Sequence, residues 1–364
     1  MQEHDITWMK QAFAEAVLAV GTSRPNPAVG AILVKNGVVV GRGRTQRPGS
    51  HHAEIMALQQ AGDAAQGADM YVTLEPCCHW GRTPPCSDAI LRAQVNRVFI
   101  SAIDGNPKVS GGGVERLRVG GIPVETGVLA AEGEEFYRGY HHHMKTGLPW
   151  VDVKFAQSLD GYIAGPLGER TQITGLQTAE WVHRFRARVD AIVIGGGTAQ
   201  HDDPQLTVRG VPGNHPVRIV MHRRSVLSEN LHVFQDHLAP TILYARSQNL
   251  VLPEAVQCMP WPSDDFSAAW RALLAELGAQ GFHRILLEAG AAMARMVLSE
   301  PWAWNRLLLL TAPKILGKGL DWKGGMAQGW NESLHLSRFE LIGNDYLAEF
   351  ANVHGNHSSS WDRS

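Results

Sequence analysis

Three cysteines lie close together in the 364-residue sequence and form its clearest chemical pattern. The stretch "TLEPCCHWGRTPPC" (73–86) places Cys77 and Cys78 after a strand-like run and Cys86 at the entrance to a predicted helix. The positive end of a helix dipole and its exposed amides favour ionised, metal-binding thiolates there. Two thiolates and one imidazole fill three of the four positions of zinc, so that a water molecule can be activated at the fourth. The spacing predicts a catalytic zinc site.

The stretch "HHAE" (51–54) opens an amphipathic helix and offers both an imidazole and a carboxylate. A His-x-Glu pair followed later by Pro-Cys and another cysteine is typical of zinc deaminases, in which the glutamate moves protons and is not a ligand. His52 and Glu54 fit that register, whereas His51 does not. We therefore predict His52, Cys77 and Cys86 as zinc ligands and Glu54 as the acid/base.

Two simpler interpretations stay open at this point. Paired histidines at a helix start often cap the helix or face solvent, and the cysteines alone could form a structural half-site. The gap between Cys77 and Cys86 is also longer than the two-residue gap of the deaminase signature. It predicts that "CHWGRTPP" is an insertion beside the pocket.

The composition is that of a folded globular protein, with 44% hydrophobic and 19% charged residues. A formal net charge of −2 gives no basic field, which argues against nucleic acid as the main partner. We see no signal peptide and no run of about 18 apolar residues, and the four cysteines do not make a disulfide framework. We expect a cytoplasmic protein without a membrane segment.

The pattern of apolar residues predicts two α/β domains. A helix from Asp5 to Val20, a hairpin around Asn36-Gly37 and alternating strands and helices predict an α/β/α domain over 1–145. Charge, glycine and proline interrupt the alternation over 131–149, where we place the boundary. Apolar runs such as "DAIVIGGG" and "RILLEAG" predict a second sheet within 146–364, with a disordered tail over about 354–364.

Several stretches of the chain resemble the bifunctional riboflavin-biosynthesis deaminase/reductase family. In the first half they are "PNPAVGAILV" (25–34), "HAE" (52–54), "YVTLEPCCHWGRTPPCSDAI" (71–90) and "DGNPKVSGGG" (104–113). In the second half they are "FAQSLDGYIA", "GGGTAQHDDPQLTVR", "EAG" and "TAPKILG". The resemblance implies an N-terminal cytidine-deaminase-like domain and a C-terminal dihydrofolate-reductase-like domain.

The resemblance also implies the reaction and its cofactors. Zn²⁺ would support hydrolytic deamination of 2,5-diamino-6-(5-phosphoribosylamino)pyrimidin-4(3H)-one. NADPH would then reduce the ribose of the product to a ribityl chain. The partner would be this phosphorylated pyrimidine, and we expect a homo-oligomer.

Site residues follow from the same resemblance, position by position. In the first half it implies that the substrate is contacted by Asn26, His79 and Arg82. In the second half it implies that the cofactor is lined by Ala156, Thr198, Asp202 and Gly290, and the substrate by Arg186, Leu206, Arg209 and Glu288. Independently of the resemblance, the glycines 195–197 at a strand end could bring backbone amides close to a phosphate.

The chain departs from the family pattern in the second half. Gln172 stands where the family usually has tryptophan, Arg170 where it has serine, and His222-Arg223 where an Asp-Ser pair is common. Arg223 is a candidate for binding the ribose 2′-phosphate, which would bear on the choice between NADPH and NADH. The departures motivate an alternative, a deaminase with a catalytically silent second domain. A zinc-stabilised module that binds nucleotide or RNA is a further alternative, against which the lack of a basic stripe argues.

Overall fold

The computed structural model describes residues 3–80, 84–107, 109–166, 171–223, 227–246, 251–322 and 334–352. The chain divides into two compact units, one of residues 1–147 with 212–214 and one of residues 148–211 with 215–364. The predicted disordered tail, 354–364, lies outside the described residues. Among the described residues, no helix combines the length and the apolar character needed to cross a lipid bilayer.

The first unit is built around a five-stranded sheet with the order β2-β1-β3-β4-β5. Its strands are β1 (Gly30–Lys35), β2 (Val38–Arg44), β3 (Asp69–Leu74), β4 (Arg97–Ala102) and β5 (Val124–Thr126). Its helices are α1 (Glu3–Val17), α2 (Ala53–Ala61), a 3₁₀ turn (Gly62–Ala65), α3 (Cys86–Arg92), α4 (Gly112–Val119) and α5 (Ala130–Thr146). β1 runs antiparallel to β2 and β3, and β3, β4 and β5 are parallel.

Local sequence explains two features of this unit that matter for the site. Asn36 and Gly37 both have positive φ angles, 52° and 75°, so the predicted hairpin between β1 and β2 is confirmed. A Cβ atom at Gly43 would lie 2.0 Å from the carbonyl oxygen of Ala53. Helix α2, which carries Glu54, therefore packs directly on the backbone of β2.

Helix α5 covers most of 131–149, the stretch in which the sequence interrupts the strand–helix alternation, and the first unit ends just after it, at residue 147. Tyr137 and Tyr140 are buried on one side of this helix, and its charged residues are more exposed. A Cβ atom at Gly133 would lie 2.5 Å from the Ser101 hydroxyl oxygen. Charge and glycine here belong to an amphipathic helix in close contact with a strand, and not to a linker.

The second unit contains a nine-stranded sheet with the order β11-β10-β9-β8-β12-β6-β13-β16-β15. Its strands are β6 (Trp150–Ser158), β8 (Ala191–Gly195), β9 (Val217–His222), β10 (Thr241–Ala245), β11 (Val256–Pro260), β12 (Arg284–Glu288), β13 (Arg306–Ala312), β15 (Leu334–Ile342) and β16 (Asp345–Asn352). A separate pair is formed by β7 (Tyr162–Ala164) and β14 (Leu320–Asp321). The helices are α6 (Leu176–Arg186), α7 (Gly196–Asp202), α8 (His232–Gln235), α9 (Phe266–Ala279) and α10 (Ala291–Leu298).

Strand direction sets where a ligand can bind in this unit. The strands from β11 to β13 are parallel, and β16 and β15 continue the sheet in antiparallel pairing. The carboxyl ends of the neighbouring strands β8, β12 and β6 therefore meet at one edge, where α/β sheets usually bind ligands. The predicted α/β fold class is confirmed for both halves of the chain.

Candidate active sites

The three predicted zinc ligands come together in the first unit. His52 precedes α2, Cys77 follows β3 and Cys86 begins α3, and their ligand atoms all lie within 4.8 Å of one another. The Cys86 sulfur is 3.2 Å and the Cys77 sulfur 3.7 Å from Nδ1 of His52. Two sulfurs and one imidazole nitrogen at these separations fit a zinc ion with one coordination position open.

The electrostatics of the cluster also suit a cation. A hydrogen bond from Cys86 lowers the pKa of Cys77 to about 4, and a hydrogen bond with Cys77 raises that of His52 to about 9. The bond to Cys77 and burial raise the pKa of Cys86 well above its ordinary value. The thiolate of Cys77 is thus stabilised by the protons on His52 and Cys86. A divalent cation that bound to the three ligand atoms would displace those two protons.

Glu54 lies beside this cluster and is suited to move protons. It is 3% exposed and stands in the first turn of α2, two residues after His52. Burial raises its pKa to about 7, although the charge of His52 acts in the opposite direction. A carboxyl group with a pKa near neutrality can both accept and donate a proton under physiological conditions.

Glu75, which the sequence reasoning missed, joins the cysteine loop to the glycine-rich segment that follows β4. Its Oε1 accepts hydrogen bonds from the amides of Gly113 (2.9 Å) and Val114 (3.1 Å). Its Oε2 accepts those of Gly111 (2.9 Å) and Asp104 (3.3 Å). The signal in the sequence was a carboxylate between a buried strand and Pro-Cys, with three consecutive glycines downstream to supply amides.

Two further residues predicted for this site, Asn26 and His79, lie in loops. Asn26 is half-buried between α1 and β1, and His79 is exposed two residues after Cys77. Arg82 lies outside the described residues. The thiol of Cys78 is directed towards the carbonyl oxygen of Val109, at 3.9 Å, and Cys78 is not a member of the ligand cluster.

The second unit has a cavity of about 640 Å³ at the carboxyl ends of β6, β8 and β12. Seven residues predicted for the cofactor or the second substrate line it: Ala156, Thr198, Asp202, Gly290, Arg186, Leu206 and Glu288. Arg209 and Arg223 do not line it, and both are exposed. The structure therefore brings together most of this predicted site but leaves these two arginines outside the cavity wall.

Three charged side chains form a cluster in the cavity wall. Arg186 contacts Glu288 through Nε–Oε1 (2.7 Å) and Nη2–Oε2 (3.0 Å), and Nζ of Lys154 lies 3.4 Å from Oε2. Burial by itself raises the pKa of Glu288, but Arg186 and Lys154 together hold it well below its usual range. The sequence reasoning missed Lys154, whose signal was a lysine between Val153 and Phe155 in the strand "WVDVKFA".

A network of hydrogen bonds positions the loop that carries Leu206. The residue has a positive φ of 53°, and the next carbonyl, that of Thr207, accepts a hydrogen bond from Arg186 (3.2 Å). His183 contacts the same carbonyl at 3.1 Å through its ring nitrogen. The loop is thus fixed by α6, the helix that also supplies Arg186 to the cavity.

Two of the residues that depart from the family pattern make contacts in the described part of the second unit. His222 is buried at the end of β9, and its Nδ1 would be 2.3 Å from a Cβ atom at Gly196. Its ring therefore supports the glycine turn after β8. The carbonyl of Gln172 accepts a hydrogen bond from Lys314 (3.1 Å), and Arg170 lies outside the described residues.

Comparisons with known proteins cover both units. Residues 2–102 match the cytidine and deoxycytidylate deaminase zinc-binding region, and residues 149–348 match the RibD C-terminal domain. The riboflavin biosynthesis protein RibD of Aquifex aeolicus is 36% identical over 357 residues, which are 96% of this chain and 99% of the relative. The protein of the same name from Escherichia coli is 36% identical over 326 residues, 86% of this chain and 89% of the relative.

Solved structures agree with these matches. A structure of Acinetobacter baumannii RibD superimposes with a TM-score of 0.75 at 31% identity and covers 96% of this chain and 99% of its own. A diaminohydroxyphosphoribosylaminopyrimidine deaminase/5-amino-6-(5-phosphoribosylamino)uracil reductase from Thermotoga maritima gives 0.79 at 32% identity, with 96% and 98% coverage. The chain therefore belongs to the RibD family of riboflavin biosynthesis, whose members join a zinc-binding deaminase domain to a reductase domain.

Proposed function

We propose that the protein deaminates 2,5-diamino-6-(5-phosphoribosylamino)pyrimidin-4(3H)-one in its first unit. It then reduces the ribose of the product with NADPH in its second unit. The observation that carries this proposal is the convergence of His52, Cys77 and Cys86 beside the buried Glu54. The cavity that holds Arg186, Lys154 and Glu288 supplies a separate place for the second step.

The first step exchanges an amino group for an oxygen of water. His52, Cys77 and Cys86 would hold a zinc ion, which would supply Lewis acidity towards a water molecule. Glu54 accepts a proton from the attacking water and passes it to the leaving amino group, which departs as ammonia. One water molecule is consumed, its second proton moves to a ring nitrogen as the pyrimidine gains a carbonyl, and Glu54 returns to its starting state. The family resemblance assigns Asn26, His79 and Arg82 to substrate binding, and we propose the same roles here.

The second step adds a hydride to C1 of the sugar and a proton from solvent to the ring oxygen that C1 releases. Bound NADPH would supply the hydride and leave as NADP⁺. We propose that Ala156, Thr198, Asp202 and Gly290 line this cofactor and that Leu206 packs against the substrate. We propose that Arg186 and Glu288 face the substrate: the anionic Glu288 accepts hydrogen bonds from sugar hydroxyls, and the fork of Arg186 holds that carboxylate in place. Arg209 and Arg223 are proposed to bind the substrate phosphate and the cofactor 2′-phosphate, respectively, from outside the cavity wall.

The experiment that tests both steps uses the purified protein, the diaminopyrimidine phosphate and NADPH. Ammonia release followed by loss of NADPH absorbance is the expected result. When the deaminated intermediate is supplied directly, NADPH oxidation should proceed without ammonia. Unchanged absorbance in that arm would mean that the second unit is catalytically silent.

Three broader properties complete the proposal. We assign the zinc-dependent deaminase domain to residues 1–145 and the NADPH-dependent reductase domain to residues 146–364. Expressing each segment alone and measuring its activity tests this division. A homo-oligomer is expected, and sedimentation measures it. The four free cysteines suit a reducing compartment, so we propose the cytoplasm as the location, which cell fractionation tests.

A further inference from the structure

Helix α5 presents two buried tyrosines, Tyr137 and Tyr140, one helical turn apart. They are 1% and 7% exposed. Burial raises the pKa of both well above the ordinary value of a tyrosine. Both hydroxyl groups therefore keep their protons at any pH at which the protein works, and each can donate one hydrogen bond.

The hydroxyl of Tyr137 fixes the backbone that leads from Asn26 into β1. It donates to the carbonyl of Ala28 at 3.0 Å, which uses its single proton. The 2.6 Å contact with the Thr73 hydroxyl must then be donated by Thr73, which in turn accepts the amide of Gly30 at 3.0 Å. The hydrogen bonds thus run from the backbone of Gly30 through two side chains and back to the backbone of Ala28.

The hydroxyl of Tyr140 fixes a second loop, the one that follows β4. It donates to Oδ1 of Asp104 at 2.9 Å, and the same oxygen accepts the amide of Asn106 at 2.8 Å. Asp104 is 7% exposed, and its own amide donates to Glu75. Burial raises the pKa of Asp104, and the charges of Glu75 and Cys77 add to this effect, as expected for a carboxyl group close to the cysteine loop.

The two loops come from different parts of the chain, and α5 contacts both. One loop carries Asn26, between α1 and β1, and the other carries Asp104, after β4. We propose that Tyr137 and Tyr140 are positioning residues of the deamination reaction, which hold the Asn26 loop and Asp104 in the geometry that binds the pyrimidine. The inference rests on the proposed deaminase function and assigns to α5 a part in substrate recognition.

The test measures steady-state ammonia release by Tyr137→Phe and Tyr140→Phe, each of which loses only one oxygen atom. A lost hydrogen bond of ordinary strength corresponds to a KM increase of about three- to tenfold. The kcat should stay within about twofold of the wild-type value, since Glu54 and the zinc ligands are untouched. Zinc content and NADPH oxidation with the deaminated intermediate should not change.

Thr73 offers an independent variant of the same hydrogen-bond chain. Thr73→Val should raise KM as Tyr137→Phe does, and Thr73→Ser should restore it, because serine keeps the hydroxyl. The double variant Thr73→Val/Tyr137→Phe should be no worse than the poorer single variant, since both break one chain.

Tyr71 is the matched control in the same sheet. It is 1% exposed and donates to Asp5 of α1 at 2.8 Å, and within the described part of the chain its hydroxyl makes no hydrogen bond to either loop. Tyr71→Phe should lower the unfolding temperature and leave KM unchanged. If the Tyr137 and Tyr140 variants behave like Tyr71→Phe, or lose kcat with KM unchanged, the inference is overturned. A wild-type protein that releases no ammonia would instead overturn the proposed function, and the inference with it.

Discussion

Arg186 and Glu288 form a two-point ion pair in the wall of the second cavity, with contacts of 2.7 Å and 3.0 Å. One comes from α6 and the other from the end of β12, 102 residues later in the chain. A guanidinium group and a carboxylate can form two parallel hydrogen bonds. The pair therefore fixes the orientation of the Glu288 carboxylate as well as balancing its charge. The same Arg186 donates to the Thr207 carbonyl, so it ties the acidic centre of the cavity to the Leu206 loop.

Arg186→Lys should impair reduction although the positive charge is kept. A lysine cannot make both contacts with Glu288 and also reach Thr207. We expect kcat/KM for NADPH oxidation with the deaminated intermediate to fall by about tenfold or more, which is roughly 1.4 kcal/mol. Ammonia release in the first unit serves as the internal control and should not change. Near-wild-type reduction by this variant would show that the two-point geometry is not needed.

His52→Ala should lose zinc, whereas His51→Ala should keep it. Nδ1 of His52 lies 3.2 Å from the Cys86 sulfur, while the exposed ring of His51 lies 3.4 Å from the side-chain amide of Gln59. Metal analysis of the two purified variants measures the difference, with about one zinc per chain expected for His51→Ala. The opposite result, with zinc kept by His52→Ala and lost by His51→Ala, would refute the assignment of the ligands.

The sequence predicted this metal cluster because its residues have characteristic types at characteristic spacings. The spacing of His-x-Glu identifies His52 and not His51 as the ligand that belongs with Glu54. The fold then places Cys77 and Cys86 around His52. It also predicted the hairpin at Asn36-Gly37, since the conformation depends on the two residues themselves.

What the sequence did not predict depends on contacts between distant parts of the chain. Glu75 accepts amides from residues 29 to 39 positions away, and Lys154 meets Glu288 across two neighbouring strands. The sequence pattern does not reveal helix α5, because its charge and glycine content hides a short apolar face. Tyr140 and Asp104 are 36 residues apart, and only the packing of α5 on the sheet brings them together.

His142 should make the stability of the first unit depend on pH. Burial, followed by the charges of His143 and Lys145, lowers its pKa to about 4 from the ordinary value of 6.5. Between these values the unfolded chain binds a proton that the folded chain does not, so stability is lost as the pH falls from 6.5 towards 4.

His142→Gln should remove this part of the pH dependence. The free energy of unfolding of the wild-type protein and of the variant is measured with denaturant between pH 6.5 and pH 4. It should fall less in the variant, and the difference between the two proteins should be at most about 3 kcal/mol. Protonation of the zinc ligands affects both proteins alike and cancels in the comparison. Parallel curves would rule out a buried neutral His142.

The most direct test of the account is the activity of Glu54→Gln in the zinc-loaded protein. The wild-type protein should release ammonia from the diaminopyrimidine phosphate and then oxidise NADPH. The variant should bind zinc normally, release ammonia slower by about 100-fold or more, and still oxidise NADPH when given the deaminated intermediate. Ammonia release by Glu54→Gln at the wild-type rate would contradict the assignment of Glu54 as the proton carrier of a zinc-dependent deaminase.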